Sequence, residues 1–90
     1  MKIKEGFVLR TICGENVIQG EGRTNVNFSR LISLNDTAAY LFRELQGRDS
    51  FTVDDVVDLL TARYEVEESV AREDSGKLVL KWKEVGLLDD

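Results

Sequence analysis

Phe28-Ser29-Arg30-Leu31-Ile32-Ser33-Leu34-Asn35-Asp36-Thr37-Ala38-Ala39 changes its hydrophobic period part-way along, and the fold class follows from that change. Up to Leu34 the residues alternate as in a strand, with Phe28, Ile32 and Leu34 on one side and Ser29, Leu31 and Ser33 on the other. From Asn35, a good helix N-cap, the apolar residues Ala38, Leu41, Phe42 and Leu45 recur at i, i+3, i+4 and i+7, the spacing of one helix face. Gly47 is placed to stop that helix. A chain that passes here from strands to helices reads as an α+β arrangement.

On the amino-terminal side, Phe7-Val8-Leu9-Arg10-Thr11-Ile12-Cys13 is rich in β-branched and aromatic residues. Gly14-Glu15 separates it from Asn16-Val17-Ile18-Gln19, the spacing of a hairpin, and Gly20, Gly22 and Asn25 then mark a loop. On the carboxyl-terminal side, Thr52-Val53-Asp54-Asp55 has the form of a capping box, and Val53, Val56, Leu60 and Tyr64 follow on one stripe. The spacing predicts a second helix from about Val53 to Tyr64. A third carries Ala71, Ser75, Leu78, Trp82 and Val85 on one face, with Gly86 placed to cap it. The expectation is a three-stranded antiparallel sheet followed by three helices, one domain over residues 1–90. Such a sheet has two edges, each of which must be covered, blunted or used by a partner, and an unpaired edge also invites a homodimer.

The chain has 90 residues and no His, which excludes an imidazole base, a catalytic triad and a His-containing zinc site. Its one Cys, Cys13, has no partner for an intramolecular disulfide, and Met1 to Arg10 holds no apolar run long enough for a signal peptide or a membrane span. A reducing cytoplasm is the expected location. With no His and no predicted helix N-terminus beside it, Cys13 is read as a small buried or half-buried residue, not a nucleophile. Asp54, Asp55 and Asp58, with Glu65, Glu67 and Glu68, lack a cation-loop signature and are read as helix-start and solvated-face acids. Gly20-Glu21-Gly22 leads into a strand-like segment and is read as a turn, not a phosphate loop. No catalytic residue, metal or cofactor is expected.

Charge separates the two parts of the chain. Residues 1–34 carry five basic and three acidic residues, whereas 35–90 carry seven basic and fourteen acidic, within a net charge of −5. A field of that sign opposes a phosphate backbone. The third helix holds an oddity, Ser75-Gly76 in its middle, where Gly costs roughly 1 kcal/mol relative to Ala. At about 100° per residue, Arg72, Gly76, Val79 and Lys83 line the flank beside the apolar stripe, and Leu80 points further outward. Two explanations stand: close packing of Gly76, or a groove that holds an extended peptide beside a strand.

With these elements in place the chain resembles the PqqD family, small peptide chaperones also called RiPP recognition elements. Leu34-Asn35-Asp36-Thr37-Ala38-Ala39 is similar to that family's Leu-Asn-Glu-Thr-Ala block opening the first helix. Leu45-Gln46-Gly47, Phe51-Thr52-Val53, Tyr64-Glu65-Val66, Asp74 and Gly86-Leu87-Leu88 follow in the family's order and spacing. The resemblance implies a winged-helix-like fold without catalytic residues. It implies a non-catalytic chaperone that binds the leader of a ribosomally made precursor peptide and presents it to a modifying enzyme, often a radical SAM enzyme. The leader would lie as an added strand in a cleft between the third strand and the third helix. By position this implicates Asn27, Phe28, Ser29, Arg30, Leu31 and Ser33 with Arg72, Ser75, Gly76, Val79 and Lys83. The family usually has bulky apolar residues just after the aspartate, where this chain has Ser75-Gly76.

The alternative is a winged-helix DNA-binding regulator, which needs a basic recognition helix. Here Arg72, Lys77, Lys81 and Lys83 are offset by Glu67, Glu68, Glu73, Asp74 and Glu84. The expected partners are therefore a leader peptide and a modifying enzyme, not nucleic acid or a membrane.

Overall fold

The computed structural model describes residues 1–20 and 31–89. They form β1 (Lys2–Ile3), β2 (Phe7–Ile12), β3 (Glu15–Gly20), β4 (Leu31–Leu34), α1 (Asp36–Leu45), α2 (Val53–Arg63), α3 (Glu68–Glu84) and β5 (Leu88–Asp89). The chain is organised as two compact units, Lys4–Glu44 and a second made of Met1–Ile3 and the chain from Leu45 onward. Three antiparallel strands followed by three helices are the expected α+β order.

In the first unit the strand order is β2-β3-β4, antiparallel throughout. Pairing of β2 with β3 runs one-for-one from Phe7↔Gly20 to Ile12↔Glu15, without a bulge. Because Glu15 already pairs with Ile12, the turn is Cys13-Gly14, one position earlier than the Gly14-Glu15 expected from the sequence. Both turn residues have positive φ, 53° and 80°, the requirement of a two-residue type I′ turn. The turn position also overturns the expectation that Cys13 is buried. It is exposed, because a residue at the tip of so tight a turn has little around it to exclude water.

The switch from strand to helix at Asn35 is sharp. The Asn35 side-chain Oδ1 accepts from the Ala38 amide at 2.8 Å, and its carbonyl accepts from the Ala39 amide at 2.9 Å, opening α1. Ala38, Leu41, Phe42 and Leu45 are all buried, as their spacing predicts. Among the described residues of the sheet, Phe7, Val17 and Ile18 have buried side chains.

In the second unit, Thr52 and Asp55 form the capping box read from the sequence. The Asp55 amide donates to Thr52 Oγ1 at 3.3 Å and the Thr52 amide to Asp55 Oδ2 at 2.8 Å. Tyr64 is the C-cap of α2 and is 36% exposed, so it leaves the stripe that Val56 and Leu60 continue inward. At the end of α3, Gly86 takes φ 81°, its amide donates to the Lys83 carbonyl, and the Leu87 amide donates to the Trp82 carbonyl. This is a Schellman end, which needs a left-handed residue where Gly86 stands.

Two strands lie outside the sequence reading. Lys2 pairs with Asp89 and Ile3 with Leu88, so β1 and β5 form a separate two-stranded sheet. Met1 adds to it, accepting from the Phe51 amide at 2.7 Å. Strands of two residues have no period to detect. Phe28 to Arg30, read as the start of the third strand, lie outside the described residues, as do Gly22 and Asn25 of the expected loop.

Candidate functional site

The hydrogen-bonding parity of the sheet follows from its hairpin. A two-residue turn closes on a pair that exchanges both hydrogen bonds, here Ile12 and Glu15. Alternation then turns the backbone groups of Glu15, Val17 and Gln19 toward β2, and those of Asn16 and Ile18 toward β4. Leu34 and Ile32 stand opposite Asn16 and Ile18 and use their groups inside the sheet. Leu31 and Ser33 therefore direct theirs to the outer edge of β4, where no further strand pairs among the described residues. Asn27, Phe28, Ser29 and Arg30, expected beside them, lie outside the described residues.

On α3 the buried stripe is Ala71, Ser75, Val79 and Trp82. Val79, expected on the exposed flank, is only 4% exposed, whereas Leu78, expected in the core, is half-buried. The buried face is rotated by about a third of a right angle from the face read in the sequence, because Val79 and Trp82 are both drawn inward. Ser75 is fully buried too, and its hydroxyl has no hydrogen-bond partner among the described residues. Of the implicated helix residues, Arg72 and Lys83 are exposed and Gly76 is half-buried, while Ser75 and Val79 lie beneath them. Leu80 is 61% exposed, as its phase predicts.

Among the described residues Gly76 has no packing reason: a Cβ added there meets no described atom within 4 Å, so close packing against the described elements does not account for it. Beside it, Arg72 Nη1 donates to Asp54 Oδ1 at 2.6 Å, and Arg72 Nη2 lies 3.9 Å from Glu68 Oε1. The hydrogen bond to Asp54, reinforced by that residue's charge, holds the guanidinium pKa above the usual arginine range. Lys77 pairs with Glu73 at 3.4 Å. The acidic cluster is thus largely explained: Asp54 holds Arg72, and Asp55 caps α2.

At the other end of β4, Glu15, Asn16, Ser33 and Asp36 line an open crevice of about 320 Å³ beside the start of α1. Asn16 Nδ2 donates to Asp36 Oδ1 at 3.0 Å. Two carboxylates at this helix start oppose the binding of an anion there. Among the described residues no group of three or more His, Cys, Asp or Glu side chains is placed to hold a metal ion, and no helix is long and apolar enough to cross a membrane.

The sequence pattern of coenzyme PQQ synthesis protein D matches residues 15–88. The chain belongs to the PqqD family. No curated protein matches it closely enough to add to that assignment. Among solved structures, the PqqD-like fold is shared with a lasso peptide synthetase B1 complexed with the leader peptide. The two are 30% identical with a TM-score of 0.67, over 96% of this chain and 93% of that one. TbiB1, in complex with the TbiA(beta) leader peptide, is 20% identical with a TM-score of 0.69, over 99% of this chain and 100% of its own. The second likeness bears on the fold alone, a winged-helix-like order of strands and helices that the first shares.

Proposed function

We propose that this PqqD-family chain is a non-catalytic chaperone that binds the leader of a ribosomally made precursor peptide and presents it to a modifying enzyme, a radical SAM enzyme being the expected class. The observation that carries the proposal is the outer edge of β4, where Leu31 and Ser33 offer backbone donors and acceptors to an added strand. Membership of the family, and the leader peptide bound by the similar lasso peptide synthetase B1, support the choice of ligand.

In this reading residues 1–90 act as one leader-binding domain, with Asn27 to Ser33 supplying the edge. Arg72, Gly76 and Lys83 supply the helix flank, and Ser75 and Val79 hold that flank from below. Main-chain pairing gives affinity that depends little on sequence, and the cations favour acidic residues in the leader. The DNA-binding alternative loses ground, because two cations of α3, Arg72 and Lys77, are engaged by carboxylates.

The test uses a synthetic peptide spanning the amino-terminal part of a short open reading frame encoded beside this chain, titrated into isotopically labelled protein. Amide signals at 31–34 and 72–83 should shift first. Strongest shifts along α2, residues 53–63, would reject the site, and retention on nonspecific DNA at physiological salt would favour the alternative.

A further inference from the structure

The crevice at the end of β4 adjoins the open strand edge, and Ser33 belongs to both. It turns its backbone outward on β4 and lines the crevice with Glu15, Asn16 and Asp36. Charge there has one sign, since no Lys or Arg lines the crevice. The Glu15 carboxylate has no hydrogen bond or ion pair among the described residues. Asp36 Oδ1 accepts from Asn16 Nδ2 at 3.0 Å, which holds that carboxylate beside the crevice and leaves its Oδ2 without a partner among the described residues.

The geometry of the sheet selects what can reach these carboxylates. Ser33 stands opposite Val17, so Glu15, two residues from Val17 along β3, places its side chain on the same face as Ser33. A strand added antiparallel to β4 puts on that face its residues opposite Ser33 and opposite Asn35. That strand lies about 10 Å from β3, two strand spacings away. A long Lys or Arg stem, with Glu15 extending to meet it, closes the distance, and a short polar side chain does not. Two carboxylates are too few to replace the oxygen shell of a metal ion, but they suit an ammonium or guanidinium that keeps part of its water.

We propose that the crevice selects a basic residue of the leader, a Lys or Arg opposite Ser33 or Asn35 whose cation sits between Glu15 and Asp36. The inference rests on the leader-binding reading above and adds a charge requirement at one leader position. It also fixes the register of the added strand. A slip by one residue would turn the cation to the opposite face of the sheet, which carries Leu9, Ile18, Ile32 and Leu34.

Calorimetric titration of the full chain with the same synthetic peptide, each of its Lys and Arg residues replaced singly by Glu, tests the assignment. One replacement should weaken binding to the wild-type chain about fivefold, and Glu15→Lys should weaken the parent peptide by a similar factor. Combining Glu15→Lys with that one peptide replacement should recover most of the affinity. Both losses should shrink at high salt. Asp36→Asn keeps an acceptor for Asn16 and should weaken the parent peptide about threefold. If Ser33→Pro abolishes binding while Glu15→Lys binds as the wild type does, the inference fails and the leader-binding reading stands. The same holds if no single replacement is recovered by the charge swap, or if a bound leader contains no Lys or Arg. If the peptide does not bind the wild-type chain, or binds Ser33→Pro unchanged, the reading fails and the inference with it.

Discussion

Arg72 on α3 reaches Asp54 in the first turn of α2 through a 2.6 Å hydrogen bond, and the two side chains are 52% and 74% exposed. A pair so open to water adds little to stability but occupies a cation of the proposed leader site. Asp54→Ala should therefore leave the melting temperature nearly unchanged. It should raise affinity for an acidic leader, more at low salt than at high salt. Calorimetric titration at two salt concentrations measures both effects.

Adjacent positions on β4 should respond differently to proline. Ser33 turns its backbone amide outward, so Ser33→Pro removes a donor from the edge while the β3–β4 ladder keeps its bonds. Ile32 bonds inside the sheet opposite Ile18, so Ile32→Pro breaks that ladder. The expected result is a folded Ser33→Pro that binds leader at least tenfold more weakly, the loss of about 1.4 kcal/mol. Ile32→Pro should lower the melting temperature sharply. Thermal melts paired with titration separate the two.

Gly76 stands in the middle of a 17-residue helix with open space where its Cβ would be. Gly76→Ala should raise stability by about 1 kcal/mol, and the melting temperature by roughly 4–8 °C. If the leader packs against Gly76, the same methyl group weakens binding. A variant that gains stability and binds as the parent does would remove Gly76 from the site.

The hairpin tip holds a non-glycine residue, Cys13, at φ 53°. Asn tolerates the left-handed region better than Cys, and Asn-Gly is the preferred type I′ pair. Cys13→Asn should stabilise the chain by about 0.5–1 kcal/mol, read as a higher melting temperature under reducing conditions. Loss of stability would mean that the Cys13 side chain makes a contact worth more than the turn strain.

Much of this architecture is local and therefore legible in the chain. The change of period at Asn35, the Thr52-Asp55 capping box and the stops at Gly47 and Gly86 each arise within a few residues, and each stands where it was read. Burial of Phe42 and Trp82 follows from helical spacing alone. The family was legible for the same reason, since its motifs sit at helix starts and stops.

Other features depend on partners far along the chain. Strands β1 and β5 form only because Lys2–Ile3 meets Leu88–Asp89, and neither dipeptide carries a period of its own. The phase of α3 is decided by packing: a helical repeat tolerates a small rotation of its buried face, and that rotation takes Val79 inward and leaves Leu78 at the margin. Arg72 finds Asp54 eighteen residues away, which turns an apparently available cation into an engaged one. Composition and periodicity thus determined the hairpin, the three helices, their order and the helix caps, because those are set by neighbours within a turn or two. Tertiary structure decided which face is buried, which strand edges stay open and which charges are already paired, because those depend on contacts that no local window contains.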